Sequence, residues 1–175
     1  MDNPWENEDN ASIASPDTAA VYTPIHTTEQ HVPSRDDPPD ARDSVGSAPA
    51  PGGTYMIYHQ ASGNMLSLEQ GQLKLRSSPQ SGNHWNCIQN HGYFGFIETV
   101  SGNFLGRDGN YGFRAEARLH LLWEWFIITH AGDEGYHLQS PHWFSLRWVG
   151  IGEDGQTLID VASIDHAAVW RFVEV

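Results

Sequence analysis

The side chains best suited to holding a ligand gather in Ser140–Trp148, SPHWFSLRW, which sets His142, Trp143, Arg147 and Trp148 on one strand and its entry loop. An exposed indole beside a guanidinium can stack a planar or apolar ligand and add a charged donor to it. The same residue types can equally plug the mouth of a barrel. A second group, Arg107 and Asp108, lies in GRDGNYGFRAEAR together with Arg114, Glu116 and Arg118. It reads as a charged recognition site or as a surface ion pair without a role. These six residues, His142, Trp143, Arg147, Trp148, Arg107 and Asp108, are the candidate ligand-binding set.

The other reactive side chains fall into no catalytic pattern. The chain has no G-x-S-x-G, P-loop, dinucleotide fingerprint, CxxC or H-E-x-x-H. No catalytic residue, metal ligand or cofactor is therefore assigned. His59, His84, His91, His120, His130, His137, His142 and His166 are scattered, and the chemistry they offer is a proton-sensitive surface, since imidazole titrates near about pH 6.5. Cys87 is the single cysteine, so no intrachain disulfide can form. Its place beside Trp85 in WNCI predicts a buried structural thiol.

The elements that carry these residues repeat. SGNML at Ser62–Leu66 returns as SGNFL at Ser101–Leu105, and a more divergent third copy starts at Gly135. A period of about forty residues marks one supersecondary unit copied along the chain. In the first two copies Tyr55 matches Phe94, Ile57 matches Phe96 and Leu66 matches Leu105. Trp85, Trp125 and Phe172 form one closing column; Asn83, Trp123 and Trp170 form another. In the third copy Phe144 and Leu146 fall in register with Leu66 and Leu68, and Trp143 matches Met65 and Phe104 at the rim. Arg107 then stands where the other units have Leu68 and Leu146, so a charge breaks the symmetry.

Short alternating runs such as TYMIY and YFGFI, separated by glycine-bearing turns, predict strands. HLLWEWF, at His120–Phe126, is read as a strand from its match to HWNCI and VWRFV. Three units of four short strands closed about a threefold axis make an all-β β-trefoil. One unit cannot bury its apolar face alone, and closure removes exposed strand edges. The last strand, WRFVEV, should therefore pair beside the first. The domain is expected over 53–175, with repeats at about 53–91, 92–134 and 135–175.

The motifs YMIYHQASGNMLSL and FGFIETVSGNFLG, with the W-x-[WF] ending of the second and third units, resemble fascin-like proteins of the actin-crosslinking superfamily. The resemblance covers Gly53–Val175 and is to the single-domain trefoils of filamentous fungi. It implies a non-catalytic intracellular binding or scaffold module with a protein partner, actin among the candidates. The alternatives are a small-molecule or carbohydrate binder and an enzyme of fungal secondary metabolism. Ricin-type trefoil lectins carry Q-x-W near the end of each unit; the positions matched here read Asn83-x-Trp85, Trp123-x-Trp125 and Trp170-x-Phe172, without the Gln.

Charge and composition narrow the partners. The net charge of the 175-residue chain is −13, with ten acids against two Arg in residues 1–52. No basic stripe exists to displace counterions from phosphates, so nucleic acid is not expected, and an anionic membrane would repel the chain. Residues 1–52, rich in Pro, Asp, Ser and Ala, are expected to form a disordered acidic leader. Trp5 and Tyr22 are apolar points in it that could dock a partner. MDNPWENEDN has neither a basic nor an apolar signal region, which suggests a cytoplasmic or nuclear monomer.

Overall fold

A computed structural model describes residues 46–78 and 81–175. The predicted leader, with Trp5 and Tyr22, falls outside the described residues as far as residue 45. The first unit contains β1 (Thr54–His59), β2 (Met65–Glu69), β3 (Gln72–Arg76) and β4 (Trp85–Asn90). The second contains β5 (Tyr93–Glu98), β6 (Phe104–Arg107), β7 (Phe113–Ala117) and β8 (Ile127–His130). The third contains β9 (Tyr136–His142), β10 (Ser145–Ile151), β11 (Leu158–Val161) and β12 (Trp170–Glu174).

Six strands form the barrel wall. β1 pairs with β4, β4 with β5, β8 with β9, β9 with β12, and β12 returns to β1. A single bridge, Phe94–Phe126, joins β5 to the β8 end and completes the ring. The last strand does close on the first, with Ile57 opposite Phe172. The hairpins β2–β3, β6–β7 and β10–β11 lie against one another, through the Gly112–Ile159 bridge and the Leu75 amide bonded to the Gln156 carbonyl. This is a β-trefoil. Among the described residues no helix is long and apolar enough to cross a membrane.

The repeated SGN turn is built alike in both units. His59 N donates to Asn64 O at 2.8 Å and Gly63 N to His59 O at 2.9 Å; Glu98 N and Gly102 N make the matching bonds at 2.9 and 2.8 Å. Gly63 and Gly102 sit at φ +67 and +69, the left-handed region in which glycine meets no Cβ penalty. Leu66 and Leu105 follow each turn into the core.

Strand pairing fixes which residues are equivalent. Tyr55–Trp85, Phe94–Phe126 and Tyr136–Trp170 are the three matched barrel pairs. Phe172 meets all three units, stacking on Phe96 with centroids 5.6 Å apart and touching Tyr55 and Tyr136 at 6.1 and 6.0 Å. Burying each such side chain contributes about 1.5–3 kcal/mol. Cys87 is fully buried in this core, and burial pushes its thiol up to about 11.

Three sequence expectations need correction. The closing column is Trp85, Phe126 and Trp170 rather than Trp85, Trp125 and Phe172. HLLWEWF is not a strand: Leu122–Glu124 is a 3-10 turn, and β8 begins at Ile127. That turn adds one residue to the second unit's closing segment and rotates Trp125 outward onto Tyr93, with rings 4.5 Å apart. In the third unit Trp148, not Trp143, pairs as Met65 and Phe104 do, and Val149 takes the buried place given to Phe144. Phe144 and Leu146 are exposed.

Candidate functional site

The register error arises where the third unit departs from its siblings. Instead of SGN, β9 and β10 continue as a longer ladder in which Ser145 pairs with His142 and Arg147 with Ser140. The ladder ends in a two-residue turn, Trp143–Phe144. Trp143 has φ +52, the left-handed backbone region where glycine is usual. An aromatic residue there costs about 1–2 kcal/mol. Trp143 is 82% exposed and Phe144 104% exposed, so neither recovers that cost by burial.

Trp143 forms one wall of a pocket of about 140 Å³ lined also by Arg107, Gly109, Leu122, Trp123, Pro141 and His142. The turn after β6 brings Gly109, at φ +83, against Trp123, another lining residue. A Cβ there would come 2.9 Å from Cη2 of Trp123, so glycine is what lets the indole lie over the turn. The Arg114 guanidinium stands 6.0 Å from the Trp123 ring centre, within cation–π range. Beyond Leu122 and Trp123 the surface opens into a wider, largely apolar recess of about 540 Å³ that reaches Leu119 and Leu121.

Arg107 is the most enclosed lining residue, 4% exposed. Its position in β6, opposite Phe113, matches Leu68 opposite Leu73 and Ile151 opposite Leu158. Its Nη2 donates to Oδ2 of Asp160. Arg147 donates to Oδ1 of the same carboxylate from Nη2 at 3.0 Å and Nε at 3.3 Å. Burial pushes the Asp160 carboxyl up, but the hydrogen bonds and charges of both arginines outweigh it and hold the group below the usual carboxylate range. Arg107 Nη1 is buried and has no hydrogen-bond partner among the described residues.

Of the six sequence candidates, then, His142, Trp143 and Arg107 share one pocket, and Arg147 joins them through Asp160. Asp108 accepts the Asn110 and Gly112 amides at 2.6 and 3.0 Å, a turn-closing role. Trp148 lies elsewhere, edge-on to His137 with centroids 5.5 Å apart. Sequence reasoning missed Trp123, Leu122 and Asp160. The extra residue in the second unit's closing segment was the signal that Trp123 leaves the strand. With the column in register, the residues two before Trp85, Phe126 and Trp170 are Asn83, Glu124 and Ala168, so the Gln of ricin-type lectins is again missing.

The chain matches no protein-family model and no curated protein sequence. Solved structures do share its fold. It is similar to a designed threefold-symmetric protein, with 18% identity and a TM-score of 0.57 over 70% of this chain and 99% of that one. It is also similar to a ricin B-like lectin of Macrolepiota procera in complex with lactose, with 14% identity and a TM-score of 0.55 over 72% of this chain and 98% of that one. A third is a GlcNAcα1-4Gal-releasing endo-β-galactosidase from Clostridium perfringens, with 13% identity and a TM-score of 0.61 over 70% of this chain. The match spans 32% of that enzyme's length. At such identities the likeness establishes the β-trefoil fold and no more.

Proposed function

We propose that this trefoil is a carbohydrate-binding module whose sugar face is the pocket between Trp143 and Trp123. The observation that carries this reading is Trp143 itself, an indole held exposed in a costly left-handed turn and lining a small cleft that a second indole, Trp123, also lines. A sugar ring presents apolar C–H faces and polar edges. Aromatic walls with a few polar groups, here Arg107 and His142, suit both. The pocket is on the scale of one ring, and the apolar recess past Trp123 would take the next residue of a chain. The lectin and the galactosidase among the structural neighbours support the reading, though the ricin-type motif is not the means. A glycan array followed by calorimetry on the best ligand tests it, and Trp143→Ala should remove binding while the fold persists. Binding unaffected by that change would sink the proposal.

The protein-partner reading, actin included, is supported by the fascin-like motifs alone. Pelleting with actin filaments above or below about pH 6.5 would revive it.

A further inference from the structure

We infer that the sugar taken by this pocket carries an anionic substituent, a carboxylate or a sulfate, and that Arg107 is the group that selects it. The inference rests on the carbohydrate reading above and narrows its ligand class. Two guanidinium groups, Arg107 and Arg147, share the single carboxylate of Asp160, which leaves one positive charge uncompensated. Asp108, next in sequence, has its carboxylate turned to the Asn110 and Gly112 amides. Arg107 Nη1 is buried with no acceptor among the described residues, in a side chain that lines the pocket. A buried, unpartnered N–H on a charged group is costly, and an acceptor that arrives with the ligand removes that cost. A neutral hydroxyl would satisfy the hydrogen bond. An anionic oxygen would also meet the excess charge, and such charge-assisted bonds are roughly twice as strong as neutral ones.

The symmetry of the fold points the same way. At the Arg107 position the sibling units carry Leu68 and Ile151, and at the Asp160 position Leu75 and Ala115. The closure of the barrel therefore needs no charge there. The charged pair occurs where the third unit also replaces its glycine turn with the exposed Trp143, so two departures from the repeat converge on one cleft.

The test uses the full chain and matched ligands: galacturonic acid against galactose, glucuronic acid against glucose, galactose 6-sulfate, and cyclohexanecarboxylate as an anion without hydroxyls. Affinities would be read by calorimetry at low and high salt. The acids should bind about tenfold tighter than their neutral partners at low salt, with the ratio falling as salt rises. Arg107→Leu leaves Asp160 paired one to one with Arg147 and removes both the unpartnered N–H and the excess charge, so this variant should bring the ratio to about one. Equal affinity for acid and neutral sugars in the wild-type chain would overturn the inference and leave the carbohydrate reading intact. Binding of cyclohexanecarboxylate as tightly as the uronic acids, with no neutral sugar bound, would support the anion seat and overturn the sugar reading. No binding of any probe would overturn both.

Discussion

Arg107 of β6 and Asp160 of β11 meet as a buried ion pair fifty-three positions apart in sequence, joining the second unit to the third. Each occupies a site that is apolar in the sibling units. A buried pair of this kind is weak evidence for stability, because desolvation offsets the Coulombic gain.

Breaking the pair should hurt more than replacing it. Asp160→Leu alone leaves two arginines without their carboxylate and should destabilise by about 3–5 kcal/mol. The double change Arg107→Leu with Asp160→Leu should recover most of that loss. Urea midpoints for the two singles and the double form the test; strictly additive losses would contradict the argument.

Trp143 should trade stability for binding. Trp143→Gly relieves the left-handed turn but adds freedom to the unfolded chain, so stability should hold or rise by up to about 1 kcal/mol. Ligand binding should disappear in the same protein. Phe144→Ala, at the tip but outside the pocket lining, should leave binding unchanged. A large loss of folding stability in Trp143→Gly would show that the indole supports the fold.

Acid should weaken the fold before the carboxylates titrate. Burial lowers the pKa of both His59 and His120. His120 stacks on Phe104 at 5.4 Å, and its Nε2 lies 3.1 Å from the Phe94 carbonyl, so that nitrogen carries the proton of the neutral ring. The folded protein resists protonation more than the unfolded chain does. Stability is therefore complete above about pH 6.5 and falls as pH drops toward the lowered folded values. His120→Gln should flatten part of the slope between about pH 7 and pH 5, leaving the His59 share. Asp160 acts lower: its folded pKa is depressed, so its stabilisation holds above about pH 3.9 and is lost as pH falls through the folded value.

Cys87 should be silent in the native protein. With its thiol buried and pushed up to about 11, little thiolate forms near neutrality. A thiol reagent at about pH 8 should label it at the rate of global unfolding. Fast labelling without denaturant would mean that β4 opens locally.

Much of this molecule could be read from short stretches. The SGN turns close through bonds within a few residues, so their letters carry their geometry, and the first two units follow at once. Tyr55, Ile57, Leu66 and Leu105 were legible for the same reason: each sits at a set distance from a turn that the local sequence specifies. Trp125 and Phe144 were misplaced because the change of register shows only in the spacing between units and not in the neighbouring letters. A 3-10 turn added one residue before Phe126, and an aromatic took a position where glycine is expected.

The pocket belongs to the tertiary structure. Arg107, Trp123 and Trp143 come from three segments whose meeting depends on how the units pack about the barrel axis. Asp160 became visible as a partner when β11 was laid against β10 and the second unit's hairpin beside it. Local letters determine turns and the faces of strands because those bonds span few residues. Which charges meet across units is decided by closure of the ring, a constraint spread over the whole domain.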